Sequence, residues 1–374
     1  MTGAPIYLDH NASAPLLAEA REAMVAALAV VGNASSVHGF GRRARRMIDE
    51  ARAKVAALVG APAEAVIFTS GGTEANNLAL ANPERRRVLV GAIEHDSVLR
   101  AAPDAERIPV SRDGVLDLAA LDAMLARELG RPALVSAMLA NNETGVIQPV
   151  AEAAAIARRH GALLHCDAVQ AAGKIPIDVG GLGANYLSLS AHKLGGPSGV
   201  GALVALGGAP PEPMLRGGGQ ESWRRAGTEN LAGIAGFGAA AGIAARDLDK
   251  AAEIGALRDE IERRVLDIAP DAPIYGSKAK RLANTACIGM PMVKGETQVI
   301  AFDLAGIAVS AGAACSSGKV APSAVLQAMG AGKDRAAEAI RVSLGRGNGP
   351  DDVDRFVAAW SALHARTRRL RNAA

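Results

Sequence analysis

The chain has 374 residues, of which 21% are charged, 49% hydrophobic and 3% aromatic, with three cysteines and a formal net charge of +3. The apolar fraction excludes disorder as the state of the whole chain, and the length predicts one large domain or two to three ordinary ones. Three cysteines exclude a disulfide framework and leave at least one thiol free, which is typical of a reducing, cytoplasmic compartment.

The composition also argues against nucleic acids and membranes as partners. With two Trp, three Tyr and five Phe, and with dispersed Lys and Arg, the chain has no stacking platform for a single strand. The longest apolar stretch, Leu231–Ala245, has 15 residues, which is short of the roughly 20 that cross a bilayer. Met1–Asn11 has neither a basic start nor an apolar run, so we expect no secretory signal.

Helical and strand-like patterns alternate along the first two thirds of the chain. Leu17, Met24, Leu28 and Val31 fall on one face at helical spacing, and so do the apolar residues of 47–58. Other helix-length segments are Leu116–Leu129 and Val150–His160. Apolar runs of strand length are Val66–Phe68, Val88–Val90, Ala133–Leu139, Ala162–Leu164, Tyr186–Leu189 and Val200–Ala205. This alternation predicts an α/β domain with a mostly parallel sheet.

The pattern changes near residue 240. Asp247–Ile268 is a long helical pattern that could bridge two domains, and Asp351–Arg371 predicts a final helix. Between them lie strand-like segments at Thr285–Gly289, Ala308–Ser310 and Ile340–Leu344. We interpret this part as a second, smaller α+β domain.

Residues Thr69–Asn77 follow the first predicted strand of the sheet and include two adjacent glycines. Glycines let the backbone approach a ligand closely, and the helix start near Thr73 favours an anion. The segment therefore predicts a phosphate cup, although a simple strand-to-helix turn with a cap has the same pattern. It is not a P-loop, because no Lys follows the second glycine in the required pattern.

Two further candidates follow later strands. Asp167 could cap the next turn or pair with a protonated ring nitrogen, and Lys193 could be a surface residue or a buried nucleophile. Their order along the chain is more informative than either residue alone. An anion site, then a carboxylate, then a strand-end Lys are what pyridoxal phosphate requires for its phosphate, its pyridine nitrogen and its aldehyde.

Taken together, the motifs make the chain similar to cysteine desulfurases of the class V aminotransferase family, of the nitrogen-fixation and iron–sulfur type. The resemblance runs nearly from end to end. The stretches that carry it are Ile6–Asp9, Phe68–Asn77, Glu94–His95, Asn141–Gly145, His165–Gln170, Ser188–Gly196, Gly217–Glu221, Arg225–Thr228, Ser310–Ser323 and Ile340–Arg346.

The resemblance implies the fold of the pyridoxal phosphate-dependent transferases of fold type I. A mostly parallel seven-stranded sheet would lie in a large cofactor-binding domain, residues 13–245. A smaller α+β domain, residues 1–12 and 246–374, would carry the loop with the catalytic cysteine.

The resemblance also assigns residues to pyridoxal phosphate. Lys193 would form the Schiff base, Asp167 would pair with the pyridinium nitrogen, and His95 would stack on the ring and act as an acid or base. A buried core histidine is the plainer interpretation of His95. The remaining cofactor contacts would be Gln170 and Asn142 at the phenolic oxygen, and Gly72, Thr73, Ser190 and His192 at the phosphate. Thr228 would complete the phosphate site across the interface of a homodimer.

Substrate and sulfur chemistry are assigned in the same way. Arg341 would bind the carboxylate of L-cysteine, a task that suits a guanidinium fork, and Asn142 would lie beside it. Cys315, among small residues in a predicted loop, would be the nucleophile that takes up sulfur as a persulfide. An ordinary ion pair for Arg341 and an incidental loop cysteine are the alternatives. Cys166 and Cys287 lie in strand-like segments and are interpreted as small core residues.

The function expected from the resemblance is conversion of L-cysteine to L-alanine, with sulfur passed to an iron–sulfur scaffold or another acceptor protein. A selenocysteine lyase or another class V lyase or aminotransferase is the nearest alternative, and a transaminase would not need Cys315. A non-catalytic sulfur carrier that keeps the fold is a rival of a different class.

Overall fold

A seven-stranded sheet forms the centre of the first two thirds of the chain in the computed structural model, which describes residues 4–81, 87–128, 130–207, 211–312 and 321–372. In chain order the strands are β1 Ile6–Tyr7, β2 Val66–Thr69, β3 Arg87–Gly91, β4 Glu106–Ile108, β5 Ala133–Met138, β6 Leu163–Asp167, β7 Tyr186–Ser190, β8 Gly201–Ala205, β9 Thr285–Gly289, β10 Ile307–Ala308 and β11 Ala339–Ser343.

The helices flank this sheet and build the last third of the chain. They are α1 Ala18–Leu28, α2 Gly39–Leu58, α3 Gly72–Leu80, α4 Asp96–Leu99, α5 Leu118–Ala126, α6 Val150–Arg159, α7 Val179–Leu182, α8 Leu231–Arg246, α9 Ala251–Ile268, α10 Gly295–Leu304, α11 Ala324–Ala328, α12 Lys333–Ala337 and α13 Pro350–Asn372. Short 3₁₀ turns lie at Ala63–Ala65, Ala191–Lys193, Gln220–Trp223 and Leu248–Lys250.

The sheet has the strand order β2-β8-β7-β6-β5-β3-β4. Strand β8 is antiparallel to β2 and β7, and the other neighbouring pairs are parallel. This confirms the mostly parallel seven-stranded sheet. Strands β2, β5, β6 and β7 are buried along their whole length, which is why they stand out in the sequence as continuous apolar runs. Strand β4 lacks such a run and was not predicted.

A second hydrophobic cluster lies in the last third of the chain and includes the beginning of the chain. Ile6 and Leu8 pack in it with residues of α9, α10 and α13 and of β9 and β11. Strand β1 pairs with β10, and β9 pairs with β11. The strands predicted at 285–289, 308–310 and 340–344 correspond to β9, β10 and β11. The division into residues 13–245 and residues 1–12 with 246–374 stays a prediction.

The apolar face predicted for the first helix is only partly turned toward the core. Leu17 packs against the core and Met24 is half-buried, whereas Leu28 and Val31 are 73% and 75% exposed. The two buried residues of α1 are alanines. Helix α1 packs on α8, whose buried residues are largely glycine and alanine. Small side chains on both helices allow a close approach, and the larger residues Leu28 and Val31 are left on the outer side.

The long helix predicted at 247–268 is interrupted near its start. Helix α8 ends at Arg246, and α9 begins at Ala251 after the turn Leu248–Lys250. The Asp247 carboxylate is bound there by Lys250 and Arg346, at 3.2 Å and 2.7 Å. Among the described residues no single helix is long and apolar enough to cross a membrane, and α8 with the following segment to Ile268 passes only as a pair bent by 59°.

Candidate active site

A cavity of about 540 Å³ opens where the carboxyl ends of β6 and β7 meet the start of α3. It contains ten of the predicted site residues, which are Gly72, Thr73, His95, Asn142, Asp167, Gln170, Ser190, His192, Lys193 and Arg341. Thr228 is exposed and does not line the cavity within the described part of this single chain. Cys315 lies outside the described residues, whereas Cys166 and Cys287 are buried as predicted.

Asp167 is the last residue of β6 and is held by two donors. Its Oδ2 accepts a hydrogen bond from Asn76 Nδ2 at 2.7 Å, and its Oδ1 accepts one from the Val169 amide at 3.0 Å. The residue is only 6% exposed. Hydrogen bonds to both oxygens fix the plane of the carboxylate. The arrangement suits a partner for a cationic ring nitrogen at the cavity wall.

Lys193 lies in the 3₁₀ turn after β7, with its amine held against the beginning of the chain. Its Nζ donates to the carbonyl oxygens of Asn11 and Ala12 at 2.6 Å and 2.8 Å. Burial, followed by the positive charge of Arg341, lowers the pKa of Lys193 to about 8. A much larger fraction of this amine is therefore neutral near pH 7 than of an ordinary lysine, as a nucleophile or base requires.

The start of α3 forms the part of the cavity that suits an anion. The first intrahelical bond runs from the Ala75 amide to the Gly71 carbonyl, so the amides of the first turn have no partner within the helix. A Cβ on Gly72 would lie 2.8 Å from Val169 Cγ2 and 3.5 Å from Ser190 Cβ. Only glycine therefore fits this close contact without moving the helix start or its neighbours.

Two side chains from the end of β7 complete the anion site. Ser190 Oγ lies 2.9 Å from His192 Nδ1. Burial, and then the charge of Lys193, lowers the pKa of His192 to about 4. The contact between Ser190 and His192 uses one of their two hydrogens, so the neutral imidazole and the hydroxyl together leave one donor for a phosphate oxygen.

His95 precedes α4 and caps it. Its Nδ1 accepts a hydrogen bond from the Ser97 amide at 3.1 Å and lies 2.8 Å from Ser97 Oγ. The ring is part of the cavity wall. The structure therefore places His95 in the site, rather than in a hydrophobic core.

Arg341 reaches the cavity from β11, in the second hydrophobic part of the molecule. Its Nη2 donates to Asp9 Oδ1 at 2.7 Å, and its Nη1 donates to the Asn142 carbonyl at 3.1 Å. The residue is 9% exposed, and its Nε has no partner among the described residues. Arg341 is thus a buried, oriented cation with a donor to spare, and not a surface ion pair.

Comparison with known proteins places this site in a family. Residues 6–356 match the family model described as aminotransferase class V. The chain belongs to the class V aminotransferase family. It is 44% identical to a cysteine desulfurase of Cereibacter sphaeroides, with 94% of each chain covered.

Solved structures of the same fold are also similar to this class V chain. A NifS-like protein from Rickettsia africae has a TM-score of 0.90 and 35% identity, covering 96% of this chain and 99% of the other. A protein named SspA, whose structure is described as a complex with cysteine, has a TM-score of 0.78 and 26% identity, with 91% and 98% covered. These neighbours bear out the expected fold type.

Class V aminotransferases depend on pyridoxal phosphate, and the residues present fit that group. The anion site at α3, the fixed Asp167 carboxylate and the Lys193 amine line one cavity. The missing Cβ of Gly72 lets the start of α3 pack closely against Val169 and Ser190 beside this anion site. The phosphate, the ring nitrogen and the aldehyde of the cofactor each have a chemically matched group in this cavity.

Sequence reasoning missed two residues that hold the amide of Gln170. Lys174 Nζ donates to Gln170 Oε1 at 2.8 Å and to Asn11 Oδ1 at 2.7 Å, and Gln170 Nε2 donates to the Asn11 carbonyl at 2.9 Å. Burial, then the charges of Lys193 and Arg341, lowers the pKa of Lys174 well below its ordinary value. The position of Lys174 directly after the Asp167 motif is the one sequence signal that could have indicated it.

Glu94 is a third residue whose environment the sequence did not reveal. Its Oε1 accepts from the Met138 amide at 2.7 Å, and its Oε2 has no partner among the described residues. Burial, followed by the negative charge of Asp167, raises the pKa of Glu94 well above its usual range. The class V site therefore contains two different carboxyl groups. Glu94 favours the neutral form, whereas Asp167 accepts hydrogen bonds at both of its oxygens.

Proposed function

We propose that this protein is a pyridoxal phosphate-dependent cysteine desulfurase, which converts L-cysteine to L-alanine and leaves a persulfide on Cys315. The observation that carries the proposal is one cavity containing Lys193, Asp167 and Arg341. Lys193 would act as the base, Asp167 would pair with the ring nitrogen of the cofactor, and Arg341 would bind the substrate carboxylate. A reaction at Cα of an amino acid requires all three in one cavity. Membership of the class V family and the cysteine desulfurase relatives support the same reaction.

Pyridoxal phosphate, when bound, supplies an electron-accepting ring that stabilises the charge left when a substrate Cα–H bond breaks. The residues that would hold it are Gly72, Thr73, Ser190 and His192 toward the phosphate, Asp167 toward the ring nitrogen, Gln170 and Asn142 toward the phenolic oxygen, and His95 across the ring face.

Lys193 Nζ accepts the Cα proton in this proposal. Its pKa of about 8 makes the neutral amine accessible near neutral pH. The carbonyls of Asn11 and Ala12 keep the amine at the cavity wall when it is not in contact with substrate. The same amine can then return the proton to the product.

Arg341 orients the substrate through its carboxylate. Asp9 and the Asn142 carbonyl hold two of its nitrogens, so the guanidinium plane is fixed before substrate arrives. Each of these two nitrogens has a second hydrogen, and these hydrogens are the donors that a substrate carboxylate would meet. A fixed carboxylate limits the positions that Cα and the sulfur of L-cysteine can take.

Cys315 takes the sulfur. Its thiolate attacks the substrate sulfur, the substrate C–S bond breaks, and an S–S bond forms, while the carbon fragment takes up a proton and leaves as L-alanine. Sulfur is transferred without any external oxidant. Ser310 and Gly312 before Cys315, and Ala324 and Val325 after it, line the cavity, which supports delivery of the thiol to this site.

A homodimer is part of the proposal. Thr228 is exposed in the single chain, which agrees with a role in the cavity of a second copy. The exposed apolar side chains of α1 and the following turn, Val25, Leu28 and Val31, would be covered by such a partner. The sulfur of Cys315 would pass to an iron–sulfur scaffold or to another acceptor protein.

Alanine and sulfide release from L-cysteine, with dithiothreitol present, tests the proposed reaction in three proteins. The wild type should form both products in equal amounts, and Lys193→Ala should form neither. Cys315→Ser should lose sulfide and alanine together by about a hundredfold or more. Full sulfide release by Cys315→Ser would contradict the persulfide mechanism and favour another class V lyase.

A further inference from the structure

A continuous hydrogen-bond chain connects His95 with Asp167 on opposite sides of the cavity. His95 Nδ1 lies 2.8 Å from Ser97 Oγ, Asn76 Nδ2 donates to Ser97 Oγ at 2.8 Å, and Asn76 Nδ2 also donates to Asp167 Oδ2 at 2.7 Å. Asn76 and Ser97 are 1% and 8% exposed. Neither residue was among the predicted site residues, and the reaction described above uses neither of them.

The chain has a defined direction, which follows from the hydrogens available at each group. The Asp167 carboxylate oxygen accepts from the NH₂ group of Asn76. The same NH₂ group donates its second hydrogen to Ser97 Oγ. The Ser97 hydroxyl hydrogen is then left for His95 Nδ1. An inverted Asn76 amide would instead place its oxygen against the Asp167 oxygen.

The histidine end fixes one tautomer of His95. The backbone amide of Ser97 donates to Nδ1, so Nδ1 accepts and the proton of the neutral ring is on Nε2. The Ser97 hydroxyl donates to the same Nδ1. Because Ser97 occupies Nδ1, Nε2–H is the polar edge of His95 that remains for a molecule in the cavity.

We propose that Asn76 and Ser97 are positioning residues that couple the orientation of His95 to the Asp167 carboxylate. The Ser97 amide makes Nδ1 an acceptor whatever residue is at position 167. The Ser97 hydroxyl, directed through Asn76 by the Asp167 carboxylate, adds the second donor that holds the ring in place. The catalytic consequence rests on the proposed desulfurase function. The structural coupling does not, because it connects residues of this chain alone.

Nitrogen-15 resonances of the histidine rings test the coupling in the full-length protein without cofactor or substrate. In the wild type, the Nδ1 resonance of His95 should be that of an unprotonated nitrogen and the Nε2 resonance that of a protonated one. Asp167→Asn should shift the Nδ1 resonance but leave it that of an unprotonated nitrogen, because the Ser97 amide still donates to Nδ1 and only the hydroxyl contact changes. In the Ser97→Ala background, Asp167→Asn should have no further effect on these resonances.

Two further variants separate the coupling from general damage to the fold. Ser97→Thr keeps a hydroxyl and should restore the response of His95 to Asp167→Asn. Ser136→Ala removes another buried hydroxyl, 2.8 Å from Nδ1 of His165, and should leave the His95 resonances unchanged. A protonated Nδ1 in the wild type, or an undiminished response in the Ser97→Ala background, would overturn the proposal.

Kinetics with L-cysteine give a second readout. Ser97→Ala should lower kcat about 5- to 20-fold and change KM less than about twofold, because it removes a donor that holds the His95 ring and leaves the substrate contact of Arg341 in place. Ser97→Thr should recover most of kcat. A wild type that shows the predicted resonances but releases no alanine would contradict the proposed reaction and leave the coupling supported. If Ser97→Ala had the same kcat as the wild type, the catalytic part of the inference would be contradicted.

Discussion

Lys193 and Lys174 show how burial changes the chemistry of single residues in this site. Both amines have lowered pKa values, with burial as the first cause, and each donates hydrogen bonds to groups in or beside the Asn11 segment. A lysine in solvent would be almost fully protonated at neutral pH. Burial therefore makes Lys193 more reactive, but it also lowers the stability of the fold relative to a protein in which this amine is solvated.

This cost predicts a specific pH dependence of folding for Lys193→Met. The pKa of Lys193 is about 8 in the fold against 10.5 for an ordinary lysine, so between these pH values the unfolded chain binds more protons. The wild type should therefore gain stability relative to Lys193→Met as pH rises from 8 to 10.5, by up to about 3 kcal/mol. Urea unfolding of both cofactor-free proteins at several pH values measures the difference.

The other lysines and the tyrosines titrate in both proteins. Lys174, whose pKa is lowered by burial and then by the charge of Lys193, is a neighbouring lysine that the substitution also affects. A difference in unfolding free energy that stays constant across this pH range would mean that Lys193 is as solvated as an ordinary lysine.

The sequence predicted some site residues better than others, for a physical reason. Asp167 and Lys193 follow buried strands, and such positions meet at one edge of a parallel sheet. Arg341 required the family resemblance, because nothing local shows that β11 approaches this edge. Asn11 and Lys174 are in contact because the first residues of the chain fold against the sheet. No spacing in the sequence predicts that contact.

At the scale of elements, close packing determines where helix α3 begins, because only glycine fits at its first residue, Gly72. Strand β2 is buried on all sides, so its end brings Gly72 directly against Val169 and Ser190. This packing keeps the first turn of α3 at the cavity wall, where its amides can bind a phosphate.

Gly72→Ala should weaken binding of pyridoxal phosphate about tenfold or more, which corresponds to at least about 1.4 kcal/mol. The added Cβ would lie 2.8 Å from Val169 Cγ2, so either the helix start or the β6–α7 connection must move. Absorbance titration of the cofactor-free protein measures the affinity. Gly347→Ala is the matched control, since a Cβ there meets nothing within 4 Å. Equal affinities of the two variants would contradict the anion site at α3.

Element prediction succeeded where burial is uniform and failed where contacts are between small residues. The buried strands β2, β5 and β7 were found within a few residues of their bounds, because a continuous apolar run identifies them. The prediction that Leu28 and Val31 face the core was wrong. Both are exposed, whereas Ala20 and Ala27 of α1 are buried. Hydrophobicity alone does not indicate that two alanines allow a closer helix contact than larger side chains.

At the scale of the whole molecule, the site is assembled from three parts of the chain. Asn11 comes from the beginning, Lys193 from the end of a central strand, and Arg341 from the second hydrophobic cluster. Residues 332 positions apart, Asp9 and Arg341, form the ion pair at 2.7 Å. Any displacement of the last third of the chain against the sheet would therefore separate the carboxylate receptor from the base.

Mixed dimers test whether Thr228 acts on the cavity of a second copy. Lys193→Ala and Thr228→Ala, each weakly active alone, are unfolded together and refolded as a mixture. In a mixed dimer one cavity would combine the intact Lys193 of one copy with the intact Thr228 of the other. The mixture should recover up to about a quarter of wild-type activity, since half of the dimers are mixed and half of their sites are intact. Activity no higher than the average of the two variants would place Thr228 in its own cavity.

The central claim is that Cys315 accepts sulfur from L-cysteine at the cavity of Lys193, Asp167 and Arg341. The most direct measurement is a single turnover without reductant, with alanine quantified and the protein mapped by mass spectrometry after alkylation of thiols. The account predicts one alanine for each additional sulfur atom on the peptide that contains Cys315, with Cys166 and Cys287 unmodified. Alanine formed without additional sulfur on Cys315 would contradict it.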